Sequence, residues 1–346
     1  MLKLDLNIDD RKGLNIVAVG GGTGLATLLS GLKAYVGGHP DSAATIRDLS
    51  AIVAVTDDGG SSGRLRDELQ MPPPGDIRNC MVALSEDSHL LSRLFQYRFE
   101  GDGDLGGHSF GNLFLAALSE VTGDFAEAVR LSSEILASKG HIFPATMADV
   151  RVAARLVNGE VVRGETNVSR VGPRIERLFL EPDDCSPLPQ VIEAINRADV
   201  ITIGPGSLYT SLLPPLLVNS VADLMAGSPA VKIFICNLMT QPGETEGMSA
   251  RRHLEIVRGY AKDLNFDYVL VNDRPISPLQ QERYMQDGAE QIGVHGSLDS
   301  VNIEGAKVVH CDLLDTGEKV RHDPAKLARA VLSCVPERKM TESAAD

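Results

Sequence analysis

Apolar residues recur along the chain in two patterns, and their order predicts an α/β fold. Short apolar runs rich in β-branched residues predict buried strands at residues 14–19, 49–55, 199–204, 230–237, 267–273 and 306–315. Segments with apolar positions at helical spacing lie between these runs, such as LATLLSGLK after the first and MSARRHLEIVRGYAKDL before the fifth. This alternation predicts a mostly parallel sheet with helices on both faces.

The middle of the chain departs from this alternation. Residues 149–168 predict two strands joined by a hairpin turn at Asn158 and Gly159, and the following IERLFLEP predicts a further strand. We therefore predict a small β-rich insertion or subdomain at residues 141–185. Residues 1–140 and 186–337 then form the two parts of one α/β domain, and residues 338–346 form a flexible tail.

The first predicted strand ends in a run of glycines that forms a candidate phosphate site. Gly21, Gly22, Thr23 and Gly24 follow the strand and directly precede a predicted helix. Glycines let the backbone approach an anion closely, and a helix N-terminus favours negative charge. The run lacks the third glycine of GxGxxG and the lysine of a Walker loop. A phosphate site and an ordinary glycine-rich turn therefore both stay open.

The second strand ends in TDDGGSSGRLR, which offers more varied ligand groups. Parallel strands bring such loops to one edge of the sheet, so we expect both loops to face one crevice. The candidate ligand residues here combine carboxylate, hydroxyl, guanidinium and glycine backbone groups, and they are Asp57, Gly59, Ser61, Ser62, Gly63 and Arg64. The alternative is a mobile surface loop.

Later segments add further polar candidates. Arg78 and Asn79 fall in the first turn of a helix that we expect Asp76 to cap, where a cation opposes the helix dipole and favours a bound anion. Other candidates begin helices or follow strands, and they are His108, Ser109, Asn112, Gly204, Gly206, Ser207 and Asn237. The alternatives are structural: a salt bridge for Arg78, a hydrogen bond for His108 and a helix cap for Ser109.

Composition narrows the classes of partner. The 346 residues include 33 basic and 47 acidic side chains, and the net charge of −14 disfavours nucleic acid and anionic membranes. The start of the chain has no secretory pattern and no run of eighteen apolar residues occurs, so we expect a cytoplasmic protein without membrane insertion. The five cysteines lack metal-binding spacing, so we expect them to be reduced.

Six motifs occur in order along the chain: GGGTG, DDGGSSGRLR, PPPGDIRN, GHSFGN, IGPGSLYTS and CNLMTQPGET. Together they resemble the YvcK family, the bacterial gluconeogenesis factors of the CofD-like superfamily. The resemblance implies a Rossmann-like nucleotide-binding domain whose ligand is a nucleotide-sugar such as UDP-N-acetylglucosamine. It also implies a role in cell shape and peptidoglycan homeostasis, with no firm enzymatic reaction. Position by position, it implicates Tyr284 and Arg321, since an aromatic ring can stack on a base or sugar and a guanidinium can pair with a diphosphate.

Several alternatives stay open. Tyr284 could only pack on its helix surface, and Arg321 could only pair with Asp323. The leading hypothesis is a non-catalytic nucleotide-sugar binding regulator. The alternative is an enzyme similar to the CofD transferases, which move a phospholactyl-type group from a nucleotide diphosphate donor; Asp57 or Asp58 would then hold Mg²⁺. An NAD(P)-dependent dehydrogenase is a lesser alternative. No catalytic residue is assigned, and homo-oligomers and protein partners in cell-wall regulation are left open.

Overall fold

The computed structural model describes residues 13–39, 44–86, 89–293 and 302–336, and the predicted tail at 338–346 lies outside them. The strands in these ranges are β1 (Leu14–Gly20), β2 (Ile46–Val53), β3 (His141–Pro144), β4 (Arg151–Leu156), β5 (Val161–Arg163), β6 (Ile175–Glu181), β7 (Val200–Ile203), β8 (Val231–Ile235), β9 (Tyr268–Asn272), β10 (Asn302–Ile303) and β11 (Ala306–Cys311).

The helices in the same ranges are α1 (Gly22–Leu32), α2 (Gly60–Leu69), α3 (Gly75–Leu84), α4 (His89–Gln96), α5 (Phe110–Thr122), α6 (Phe125–Ile135), α7 (Glu165–Val168), α8 (Pro189–Arg197), α9 (Leu213–Leu217), α10 (Val221–Gly227), α11 (Ala250–Tyr260), α12 (Pro278–Gln286) and α13 (Pro324–Ser333). One turn of π-helix, Leu208–Leu212, leads into α9. No helix within the described ranges is both long and apolar enough to cross a bilayer.

Eight of the described strands form one sheet in the order β10-β11-β9-β8-β7-β1-β2-β3. Every neighbouring pair in this sheet is parallel except β10 and β11. Side chains of β1 alternate between two cores: Ile16 and Ala18 pack on the side of α1, α3 and α13, whereas Val17 and Val19 pack on the side of α8 to α11. Burial on both faces explains the continuous apolar runs. The predicted α/β fold is confirmed.

The β-rich segment forms its own small sheet. Strands β5, β4 and β6 pair antiparallel in that order, with the β4–β5 turn at Asn158 and Gly159. Strand β3 differs from the expectation, because it lies within the range predicted for the insertion but pairs with β2 at the edge of the main sheet. Its four residues, HIFP, are too few to show a pattern that assigns them to either sheet.

Two helices begin earlier than the sequence predicts. The segment expected to be a loop after β2 enters α2 at Gly60. A Cβ atom on Gly63 would lie 2.1 Å from the carbonyl oxygen of Asp58, so this glycine permits close packing of the helix start rather than mobility. Helix α3 begins at Gly75, so Asp76 lies in its first turn and is not the N-cap residue.

The order of the strands determines where a ligand site can form. The chain runs from β1 to its neighbour β2 on one side and later returns to β7 on the other side. In parallel sheets, a crevice opens beyond the carboxyl ends of the strands at such a change of direction. The glycine segments after β1 and β7 therefore face each other.

Candidate functional site

A cavity of about 350 Å³ lies at the carboxyl ends of β1 and β7. The sequence-predicted residues that line it are Gly21, Gly22, Thr23, Gly24, Gly206, Ser207, Asn237 and Arg321. A larger groove of about 820 Å³ runs along α6 and β3, but no predicted site residue lines it. We take the smaller cavity as the candidate site because the switch point of the sheet and these residues coincide there.

The first wall is the glycine turn that opens α1. Gly22 has a φ of +63°, a conformation that favours glycine. A Cβ atom on Gly24 would lie 2.3 Å from the carbonyl oxygen of Pro205, so this glycine lets the turn approach the segment after β7. The carboxylate of Asp76 accepts a hydrogen bond from the Gly22 N–H group. An acidic side chain thus already lies at the anion-favouring end of α1.

The second wall follows β7. The N–H group of Gly204 donates to the Val19 carbonyl over 3.1 Å. The side-chain amide of Asn237 makes two hydrogen bonds to the backbone of Gly206. Its Oδ1 accepts from the Gly206 N–H group at 3.0 Å, and its Nδ2 donates to the Gly206 carbonyl at 2.8 Å. The amides of Gly204 and Gly206 therefore have protein partners, and Asn237 fixes the shape of this wall.

A chain of polar side chains continues from Ser207. Gln241 Nε2 donates to Ser207 Oγ at 2.8 Å, and the Ser207 hydroxyl donates to the Glu244 carboxylate. Glu244 Oε1 also accepts from the Tyr209 N–H group at 2.9 Å. Glu244 is only 1% exposed, and burial raises its pKa to about 7.

Arg321 lies at the mouth of the cavity, on the segment before α13. It is exposed, and its guanidinium donates no hydrogen bond within the described ranges. Pairing with Asp323, the alternative considered from sequence, does not occur, because the Asp323 carboxylate caps α13 at the Lys326 N–H group over 2.8 Å. Tyr284 lies outside the cavity lining. Its hydroxyl accepts from the Val320 N–H group at 3.0 Å, next to Arg321.

Three carboxyl groups cluster beside the glycine turn. Burial and the nearby Asp57 raise the pKa of Asp76 to about 6. The pKa of Glu165 is raised to about 9, mainly by burial and then by the charges of Asp57 and Asp76. A hydrogen bond from Thr210 acts in the opposite direction and lowers it. Glu165 is therefore protonated at neutral pH and can donate a hydrogen bond or a proton.

The second of the paired aspartates has a structural partner. Asp58 Oδ2 accepts from the Glu165 N–H group at 2.9 Å, and its Oδ1 accepts from Thr166 N–H and Oγ1 at 3.2 and 3.1 Å. These contacts hold the start of α7, and hence Glu165, against the main domain. Asp57 does not line the cavity: its Oδ1 accepts from the Gly59 N–H group at 2.9 Å, and its charge raises the pKa of Asp76 and Glu165, which do line it.

Other predicted residues form a buried cluster away from the cavity lining. Ser61 Oγ lies 2.9 Å from His108 Nδ1 and accepts from Asn112 Nδ2 at 3.1 Å. Burial and the nearby Arg64 lower the pKa of His108. Ser109 caps α5 by accepting from the Asn112 N–H group at 3.2 Å, which is the structural alternative considered for it. The cluster joins the starts of α2 and α5.

The predicted cations of this region are engaged with protein atoms. Arg64 Nη2 donates to the Gly106 carbonyl at 2.6 Å. Arg78 Nη2 donates to Asn79 Oδ1 at 2.7 Å. Burial, followed by Arg98, lowers the pKa of Arg78. No ion pair to Arg78 forms among the described residues, so the salt-bridge alternative does not hold.

Ser62 and Gly63 occupy the tightly packed start of α2. A Cβ atom on Gly75 would lie 2.3 Å from Ser62 Oγ and 2.8 Å from Asp57 Oδ2. A larger residue at this position would therefore displace the Ser62 and Asp57 side chains. Ser62 is buried and does not line the cavity.

The cavity also contains residues that sequence reasoning did not select, namely Asp76, Glu165, Ser211, Gln241 and His322. Asp76 and Gln241 lie within two of the six motifs, and His322 is next to the candidate Arg321. Their positions in the sequence could therefore have identified them as site residues. Glu165 comes from the insertion, and its approach depends on the long-range contact of Asp58 with α7.

The two aspartates considered as Mg²⁺ ligands have different surroundings. Among the residues that the structure describes, no three His, Cys, Asp or Glu side chains are grouped so that they could hold one metal ion. The oxygens of Asp58 accept hydrogen bonds from α7. Of the two aspartates, Asp57 is therefore the one left to hold Mg²⁺, which proteins bind through one or two carboxylates together with ligand phosphates.

Comparison with known proteins places this architecture in a family. The sequence model of the 2-phospho-L-lactate transferase CofD family matches residues 16–314. The gluconeogenesis factor of Halalkalibacterium halodurans is 43% identical, over 94% of this chain and 98% of that protein. The one from Bacillus subtilis is 42% identical, over 93% and 98%. The chain belongs to the gluconeogenesis factor (YvcK) family within the CofD family.

A solved structure agrees with this assignment. A UPF0052 family protein from Bacillus halodurans superposes with a TM-score of 0.84 at 41% identity, covering 93% of this chain and 99% of that one. The family resemblance predicted from the six motifs is confirmed. The UPF0052 protein thus shares the fold on which this cavity is built.

Proposed function

We propose that this gluconeogenesis factor family member is a cytoplasmic nucleotide-sugar binding protein. Its ligand is of the UDP-N-acetylglucosamine type, and binding regulates the flow of carbon to cell-wall synthesis and cell shape. The observation that carries the proposal is the convergence of the α1 glycine turn and the exposed Arg321 on one cavity at the switch point. Backbone N–H groups and a guanidinium are suited to the two phosphates of such a ligand.

Titration calorimetry with UDP-N-acetylglucosamine tests this proposal. We expect saturable binding without turnover, and Arg321→Ala should weaken it about 10- to 100-fold because a charge-assisted hydrogen bond is lost. Arg93→Ala, which removes an exposed arginine of α4, is the matched control and should leave the affinity unchanged. Absence of binding at millimolar ligand, or unchanged affinity in Arg321→Ala, would contradict the proposal.

A second candidate is a CofD-like transferase, and one observation favours it. The protonated Glu165 lies beside the glycine turn, where it could give a proton to an oxygen atom during group transfer. This candidate predicts that incubation with a diphosphate nucleotide donor releases nucleoside monophosphate, detected by mass spectrometry, and that Glu165→Gln reduces the release. The transferase candidate fails if the native protein releases no nucleoside monophosphate from UDP- or GDP-linked donors, with or without a deazaflavin-type acceptor.

A further inference from the structure

Two buried acceptor atoms of the cavity residues lack hydrogen-bond partners. His322 Nε2 and Gln241 Oε1 are both buried, and neither receives a hydrogen bond within the described ranges. Both residues line the cavity, together with Arg321 and the glycine turn. A buried acceptor without a partner is unfavourable, and such atoms are few in folded proteins. Two of them on residues that line one cavity point to donors on a ligand.

The environment of His322 fixes its free nitrogen as an acceptor. The imidazole donates a hydrogen bond to the Cys236 carbonyl, and burial lowers its pKa to about 4. The ring is therefore neutral near pH 7 and carries one proton. Since Nε2 has no hydrogen-bond partner within the described ranges, we assign this proton to Nδ1, toward the Cys236 carbonyl. Nε2 then presents a lone pair.

The hydrogen bonds around Gln241 likewise determine which end of its amide group is the acceptor oxygen. Its neighbour Ser207 has a single hydroxyl proton, which it gives to the ionised carboxylate of Glu244. Ser207 Oγ can therefore only accept from Gln241, and Nε2 does donate to it at 2.8 Å. The amide oxygen of Gln241 is left as an acceptor without a donor. Glu244 is ionised above pH 7, so this arrangement is present at pH 8.

We propose that His322 and Gln241 determine ligand specificity by accepting hydrogen bonds from neutral O–H or N–H groups of the ligand. The inference rests on the proposed function of the same cavity. Two parts of a UDP-sugar carry such donors, namely the sugar hydroxyl or acetamido groups and the N3–H edge of uracil. A terminal phosphate carries only acceptor oxygens when ionised, so acceptors that face the sugar select against a nucleoside triphosphate, whereas acceptors that face the base do not.

Two substitutions of similar size remove the acceptors. Gln241→Met removes the amide oxygen, and His322→Phe removes Nε2 while it keeps a ring in place. Gln190→Met is the matched control, because Gln190 is exposed on α8 and lines the other groove. Binding of UDP-N-acetylglucosamine, UDP and UTP is measured by calorimetry at pH 8. Thermal unfolding identifies any variant that fails to fold, and either variant alone suffices for the comparison.

We expect each substitution to weaken UDP-N-acetylglucosamine binding about 3- to 10-fold, the effect of one neutral hydrogen bond. If the donors are on the sugar, the affinity for UDP stays unchanged in both variants. If they are on the base, the affinity for UDP falls by the same factor. If the donors are on the sugar, the native protein should also bind UTP more weakly than UDP-N-acetylglucosamine, because UTP has a phosphate in place of the sugar.

Failure of the inference and failure of the proposed function give different results. If the native protein binds UDP-N-acetylglucosamine and both folded variants bind it equally well, the specificity role of His322 and Gln241 is wrong and the proposed function stands. If the native protein binds neither UDP-N-acetylglucosamine nor UDP, the proposed function is wrong, and the inference fails with it.

Discussion

At the scale of single residues, Tyr284 and Arg321 have different relations to the cavity. Arg321 lines it and is exposed. Tyr284 does not line it, and its hydroxyl instead holds the Val320 N–H group at 3.0 Å. The family resemblance implied a ring that can stack on the ligand, whereas these contacts favour a residue that positions the Arg321 segment.

Substitution of Tyr284 separates positioning from stacking. Tyr284→Phe keeps the ring and removes only the acceptor for Val320, at a cost of about 0.5–1.5 kcal/mol. We expect Tyr284→Phe to weaken UDP-N-acetylglucosamine binding nearly as much as Tyr284→Ala, by roughly 2- to 10-fold in calorimetry. Native affinity in the Phe variant, combined with loss in the Ala variant, would show that stacking is the role of the ring.

Residue types near the strand ends could be predicted, but their charge states could not. The motif order placed Gly21 to Gly24, Ser207 and Asn237 among the candidates, and all of them line the cavity. The pKa values of Asp76 and Glu165 depend on burial and on carboxyl groups brought together by folding. No local sequence pattern encodes such distances, so the sequence predicts Asp76 as a helix cap and does not identify Glu165 as a site residue.

At the scale of secondary-structure elements, helix α7 links the insertion to the candidate site. It has only four residues, Glu165–Val168, and too few internal hydrogen bonds to be stable alone. Asp58 binds its N-terminal end. The sequence predicted the hairpin from Asn158 and Gly159 but could not predict this docking, because the contact spans more than a hundred residues of chain.

Removal of the Asp58 carboxylate should loosen this link. Asp58→Ala leaves the Glu165 and Thr166 N–H groups without their acceptor, so we expect the free energy of unfolding to fall by about 1–3 kcal/mol in urea titrations. Asp58→Asn retains one amide oxygen and should lose less. Asp183→Ala, at an exposed aspartate, is the control and should change little. Equal stability of Asp58→Ala and the native protein would show that α7 does not depend on this contact.

At the scale of the whole molecule, a chain of net charge −14 is proposed to bind a dianionic ligand. The cavity must therefore offset its own acidic groups, and the Asp76 carboxyl group lies at the end of α1 where a phosphate is favoured. Burial and Asp57 raise the pKa of Asp76 from 3.8 to about 6. Folding therefore favours the protonated carboxyl group of Asp76. Its contribution to the free energy of unfolding is fully present below pH 3.8 and is lost as the pH rises through about 6.

Ligand binding should depend on pH in the same direction as stability. A bound diphosphate adds negative charge beside Asp76 and favours the protonated carboxyl group, so binding takes up protons. We expect the affinity for UDP-N-acetylglucosamine, whose diphosphate is ionised throughout, to fall between pH 5.5 and 7.5. Asp76→Asn stays neutral and should flatten this part of the profile, whereas Asp183→Asn should not. Parallel profiles in native protein and Asp76→Asn would mean that the ligand phosphates bind away from the α1 turn, and that Arg321 alone recognises them.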